Sequence, residues 1–203
     1  GCAPCQPFSR YSRSASNRMN PKWSLLHEFS RLIKQVQPKL VTMENVPELL
    51  GQQVYSDFLA QLRRSKYHIW TDVVECQKYG VPQTRKRLVL LASKYGKLGL
   101  IEPMVKQKTV REVIAELPTL GAGEMNASDP MHNAAGLSPL NIKRIKQSHP
   151  GGTWRDWDES LVANCHKRDS GKSFSSVYGR MEWDQPAPTM TTQFFGYGSG
   201  RFG

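Results

Sequence analysis

Between residues 23 and 92 the chain switches repeatedly between a helical and a strand-like hydrophobic period, and few folds accommodate that alternation. Trp23, Leu25, Leu26, Phe29, Leu32, Ile33 and Val36 recur every three or four positions, with Glu28, Arg31 and Lys34 between them. The spacing predicts an amphipathic helix that stops at Pro38, which cannot continue it. A short apolar run follows at Leu40, Val41, Thr42 and Met43, the right length for a buried parallel strand, and it ends on Glu44 and Asn45. A second helix is expected over 54–64, with strands over 69–74 and 88–92. Helices alternating with strands imply an α/β sheet, and such sheets place ligands at the carboxyl ends of their strands.

Beyond Pro103 the composition shifts to Gly, Pro, Asn and Ser, which marks a domain boundary near residue 105. Two further helices are expected there. Thr109 and Glu112 have the spacing of a capping box, and Ser138 ahead of Pro139 pairs a good cap with a good first position. Over 149–180 helical period is lost, so exposed loops and short strands are expected.

Lys and Arg number 28 against 17 for Asp and Glu, a net charge of +11. An excess of that size attracts polyanions and releases their counterions on contact, so nucleic acid is the leading partner class. Cys2, Cys5, Cys76 and Cys165 have no spacing that implies a disulfide framework, which fits a reducing compartment. The apolar runs are too short to cross a bilayer, and the first residues have no signal-peptide pattern. A soluble protein is expected.

Residues 1–9, Gly-Cys-Ala-Pro-Cys-Gln-Pro-Phe-Ser, allow several readings. The plainest is a surface loop. Cys2 and Cys5 also have Cys-x-x-Cys spacing, yet Cys76 and Cys165 form no matching pair for zinc and no strand and helix precede the motif as in thioredoxin-like sites. A third reading is a nucleophilic cysteine on a proline-flanked loop, which requires partners. Two are available: Glu44-Asn45 at a strand end, and the basic stretch Gln83, Thr84, Arg85, Lys86, Arg87 just before another strand. Taken singly, these could be a helix cap after a strand and a solvated charged face.

Together and in order, Pro4-Cys5-Gln6, Glu44-Asn45-Val46, Gln83-x-Arg85-x-Arg87 and Pro186-x-Pro188-Thr189-x-x-Thr192 resemble four successive motifs of the cytosine-5 DNA methyltransferases. The resemblance runs over essentially the whole chain. It implies part of a Rossmann-like S-adenosylmethionine-dependent methyltransferase sheet over 1–105, followed by a smaller, loop-rich target-recognition domain over 106–203. The implied reaction transfers a methyl group from S-adenosylmethionine to carbon 5 of a cytosine flipped out of double-stranded DNA, in a bacterial or phage modification system. The expected setting is a cytoplasmic protein, monomeric at full length, with no metal and no membrane partner.

The chemistry asks for what the motifs carry. Carbon 5 of cytosine is a poor nucleophile until a thiolate adds to carbon 6, and Cys5 is the implied thiolate. A free thiol, with a pKa of about 8.5, is only slightly ionised at neutral pH, so the site must activate it. Glu44 is expected to hold a proton beside ring nitrogen 3, which requires burial in the base pocket to disfavour its charge. Arg85 is expected to donate to the base carbonyl or to fix the Glu44 carboxyl group. Pro4, Gln6, Ser9, Asn45, Gln83, Arg87 and Thr192 are expected to hold the nucleotide or the backbone around it, Gln83 and Arg87 in a scaffolding part. Arg10, Arg13, Arg18 and Lys22, with Lys167, Arg168 and Lys172, are candidate phosphate contacts. Residues 149–178 stand where the family carries its variable recognition segment.

The family's glycine-rich donor-binding turn and its final motif are absent, so most of the donor site is expected outside this chain. The isolated 203 residues are expected to transfer no methyl group and to be poorly stable, since a missing central strand leaves an unpaired edge. Two rivals stay open: a catalytically silent DNA-binding module, separated by its failure to trap 5-fluorocytosine, and an RNA methyltransferase of the same fold, separated by substrate competition.

Overall fold

The computed structural model describes residues 1–2, 24–104, 106–172 and 177–190. Pro4, Cys5, Gln6, Ser9 and Thr192, and the cations Arg10, Arg13, Arg18 and Lys22, lie outside these residues. The chain forms two units: Gly1–Cys76 with Lys86–Pro103, and Gln77–Arg85 with Met104–Gly203. Residues 77–85 therefore group with the second unit.

The first unit is built on helix α1 (Ser24–Val36), strand β1 (Leu40–Asn45), helix α2 (Gln53–Arg64) and strands β2 (His68–Glu75) and β3 (Lys86–Ser93). The strand order is β1-β3-β2, and β3 runs antiparallel to both neighbours. A parallel strand was expected at residues 40–43; the ladder with β3 is antiparallel, and a parallel bridge to Gly1 lies on the other edge of β1. Among the described strands β1 has its ladder with β3, and alternate residues of β1 face the core, so the run has the period of a half-buried antiparallel strand. Apolar length alone could not separate the two cases, because β3 arrives from a part of the chain more than 40 residues later.

The core forms where α1 and α2 cover one face of this sheet. Leu26 and Ile33 of α1, Val54, Tyr55, Phe58 and Leu62 of α2, Val41 and Met43 of β1, and Leu88, Leu90 and Ala92 of β3 are all buried. The strand residues in that set are two apart, as the pleat requires. Helix α2 ends without a glycine. Lys66 takes a left-handed conformation (φ 62°), its amide donates to the Arg63 carbonyl, and the Tyr67 amide reaches back to Leu62, which closes the last turn.

At the outer edge of β1 the Gly1 nitrogen donates to the Thr42 carbonyl (2.6 Å), and the Glu44 amide donates to the Gly1 carbonyl (3.2 Å). This is the spacing of one parallel bridge opposite Met43. No helix among the described residues is long and apolar enough to cross a membrane.

The second unit has little regular structure. Helix α3 (Val110–Ile114) starts at the expected capping box of Thr109 and Glu112, and α4 (Pro139–Gln147) starts at Ser138, whose hydroxyl accepts from the Asn141 amide. Arg111 grips Asp184 with two hydrogen bonds (2.7 and 3.0 Å), and Val110, Met181 and Ala187 form a small core. Between Trp154 and Gly171 the chain forms two 3₁₀ turns and the four-residue helix α5 (Asn164–Lys167). Short strands were expected in 149–180, and no named strand occurs among the described residues there.

Candidate functional site

Pleating decides what the end of β1 can present. Val41, Met43 and Asn45 point into the core, so Glu44 must point to the opposite face. Asn45 is 2% exposed, and its side-chain oxygen accepts from the Val46 amide at 2.9 Å, which fixes the exit from the strand. Val46 then leads into a 3₁₀ turn at Pro47–Gly51, for which no side-chain cap forms.

The register selects the partner of Glu44. Glu44 lies opposite Val89, so the diagonal neighbour on the same face of β3 is Arg87. Arg87 Nε sits 2.6 Å from Glu44 Oε1. The other carboxyl oxygen, Oε2, faces the Cys2 thiol, whose sulfur donates at 3.5 Å. Lys86 points the other way and pairs with Glu75 directly across β2 (2.8 Å). Arg85 was expected either at the base carbonyl or on the Glu44 carboxyl group, and Arg87 in a scaffolding part; the guanidinium beside Glu44 in the structure is that of Arg87. Strand parity would have found it once β1 and β3 were known to be antiparallel: outward residues of β3 are odd-numbered, and Arg87 is the first of them.

Gln83 and Arg85 belong to the second unit, where the stretch is tied to another of the sequence motifs. Gln83 and Ala187 form an isolated parallel bridge. The Ala187 amide donates to the Pro82 carbonyl (2.9 Å) and the Thr84 amide donates to the Ala187 carbonyl (2.8 Å). The Thr189 hydroxyl donates to the Thr84 carbonyl at 2.9 Å. Two motifs about 100 residues apart are therefore stitched together, and Arg85 follows the stitched segment directly. This brace was invisible in the sequence, because backbone-to-backbone bonds leave no residue preference at Ala187. Gly80, at φ 86°, makes the turn that feeds the segment.

The second unit also holds a cavity of about 430 Å³ lined by Cys165, His166, Arg168, Ser170 and Tyr178 among others. It contains no carboxylate to receive a ribose diol. A smaller cavity of about 210 Å³ lies among Gly151, Gly152, Arg180 and Glu182. The backbone amides of Gly151, Gly152 and Thr153 that could line it for a ligand are already bonded to Arg180, His149 and Asp156. Neither cavity fits a nucleoside-bearing methyl donor. Among the described residues no three His, Cys, Asp or Glu side chains come together as a metal site.

The C-5 cytosine-specific DNA methylase family matches residues 1–198. The Type II methylase M.HgiDII of Herpetosiphon aurantiacus is 50% identical over 209 residues, covering 100% of this chain and 58% of that protein. The Type II methyltransferase M1.BsuMI of Bacillus subtilis is 32% identical, covering 98% of this chain and 46% of that one. The chain thus spans about half the length of these relatives. A crystal structure described as a DNA modification methyltransferase encoded within an Escherichia coli prophage superposes with a TM-score of 0.59 at 19% identity, covering 93% of this chain and 60% of that one. The likeness to that structure concerns the fold.

Proposed function

We propose, since this chain belongs to the C-5 cytosine-specific DNA methylase family, that it is the part of a DNA (cytosine-5-)-methyltransferase that holds and attacks the target base. The substrate is double-stranded DNA, the donor S-adenosylmethionine, and the biological setting a Type II modification system that acts on DNA in the cytoplasm. The observation that carries this reading is the Glu44 carboxyl group, turned away from the core at a strand end and held by Arg87 on one oxygen and the Cys2 thiol on the other. Cys5 follows Cys2 by three residues in the sequence.

The chemistry assigned to these residues balances as follows. The Cys5 thiolate forms a bond to carbon 6 of an extruded cytosine. The electron pair of the 5,6 double bond is displaced toward ring nitrogen 3, which takes a proton from Glu44, and the product is an enamine with its nucleophilic end at carbon 5. S-adenosylmethionine supplies the methyl group, and the described residues do not form its site. In the attack step Glu44 Oε2 exchanges the Cys2 thiol for ring nitrogen 3 while Arg87 keeps Oε1. Arg87 restrains the carboxyl group in the plane set by the sheet, a task that a planar fork of donors performs and a lysine does not. Arg85, on the segment braced by Ala187 and Thr189, is assigned to the base carbonyl.

The test is methyl transfer by the complete protein from labelled donor to duplex DNA, with the product nucleosides separated. Label in 5-methylcytosine, and a fall of at least about a hundredfold in Glu44→Gln, is expected for loss of a group acting in general acid catalysis. Label in another base, or in RNA in preference to DNA under competition, would refute the assignment.

A further inference from the structure

Most arginines of the second unit have their guanidinium groups committed within it. Arg111 is held by Asp184, Arg144 donates to the Leu161 carbonyl and to Asn141, Arg155 donates to the Lys172 carbonyl, and Arg180 donates to the Ser148 carbonyl. Arg168 is exposed and makes no ion pair among the described residues. It stands at the head of a tight turn, Asp169–Gly171, and on the rim of the larger cavity.

That turn is held firmly from behind. His166 is buried, stacks on Trp154 at 4.4 Å with the rings 14° apart, and meets the edge of Tyr178 at 5.5 Å. Its Nδ1 is 3.1 Å from the Gly171 carbonyl, which can only accept, so Nδ1 carries the proton. Arg155 lies over Trp154 and ties down the next carbonyl, that of Lys172, at 2.8 Å. A Cβ on Gly171 would come within 1.9 Å of the Cys165 backbone oxygen, so the turn closes against its own start only with glycine. The local balance still favours a polyanion: Lys167 and Arg168 are exposed, and the one carboxylate of the turn, Asp169, is offset by Lys172 at 2.7 Å.

We infer that Arg168 reads a guanine in the recognition sequence, its guanidinium donating to O6 and N7 in the major groove. The inference deepens the DNA substrate assigned above and rests on that reading. Two features favour a base over a phosphate. A bidentate contact in the plane of a base edge needs the Cα of the reader held still, and the buried ring stack and Gly171 do that. A phosphate contact tolerates a flexible tether, the role left to Lys167.

The test expresses the complete protein in cells with a plasmid of random sequence and maps protected cytosines by bisulfite sequencing, which reads the recognition sequence directly. Wild type is compared with Arg168→Ala, Arg168→Lys and Lys167→Ala. Arg168→Ala is expected to relax the preference at one guanine position by about tenfold or more while the other positions keep theirs, a size typical of a lost bidentate contact. Arg168→Lys should relax the same position less, and Lys167→Ala should lower methylation evenly across sites. An unchanged recognition sequence in Arg168→Ala, with or without an even loss of rate, would overturn the inference and return Arg168 to the phosphates or to no contact. Protected cytosines absent with the wild type would instead sink the methyltransferase reading itself, so the two failures are separable.

Discussion

The two units reach order by different means. In the first, alternate residues of β1 and β3 and one face each of α1 and α2 close an apolar core, and backbone bonds run in ladders. In the second, a small core is supplemented by side-chain pins: the Arg111–Asp184 pair, two capping boxes, and rings stacked around His166. A ladder positions a residue by parity, which is how Glu44 comes to face Arg87. A pinned turn positions a residue by a few side-chain contacts, which is how Arg168 comes to stand at the head of Asp169–Gly171.

Removing a core side chain from the first unit should give the largest stability loss. Leu90, fully buried in β3, should cost about 3 kcal/mol when changed to Ala, as Leu→Ala substitutions in tight cores do. Denaturant unfolding of the complete protein checks this, and a loss below about 1 kcal/mol would mean that the ladder does not carry the first unit. Trp154→Ala should cost no more than that, about 3 kcal/mol and so the low end for a buried Trp, because this ring packs in a thinner cluster. Hydrogen exchange should show the faster opening confined to 154–178.

Arg87→Gln should lower turnover by about tenfold to a hundredfold, the range for losing a hydrogen bond to a charged group. Its melting temperature should barely move, since a half-exposed ion pair adds little stability. Steady-state kinetics of Arg87→Gln beside Arg85→Gln sharpens the assignment: if only Arg85→Gln were slow, Arg87 would return to scaffolding. The smallest effect is one of pH. Arg111 holds the Asp184 carboxyl group below its ordinary range, and Lys106 and the Thr109 backbone do the same for Glu112. Groups depressed in this way contribute stability above their unfolded values and lose it as pH falls through the folded ones. The protection factors of the Val110 and Arg111 amides, taken relative to intrinsic exchange at each pH, should therefore fall in acid, and Asp184→Asn should flatten that dependence.

Helices and strands of the first unit were legible because their burial follows a period. The expected limits of α2 at 54–64 and the caps of α3 and α4 agree closely with the structure. Strand direction was not legible, since Leu40 to Met43 carry no mark of which neighbour will pair with them. For the same reason the Arg87–Glu44 contact was hidden, because only the antiparallel register puts Arg87 diagonal to Glu44. The motifs around Gln83 and Pro186 were legible singly, and their backbone brace was not. The ring cluster at His166 was equally hidden, since no single helix or strand spans Trp154, His166 and Tyr178.

The proposed function requires a Cys5 thiolate to attack a base held by Arg85 and by Glu44, whose carboxyl group Arg87 restrains. Its most direct test is to incubate the complete protein and its donor with duplex carrying 5-fluorocytosine at the target, then to locate the trapped nucleotide by peptide mass spectrometry. The nucleotide should be found on Cys5, with capture slowed in Arg87→Gln and absent in Cys5→Ser. Attachment at Cys2, or firm DNA binding with no adduct on any cysteine, would contradict it.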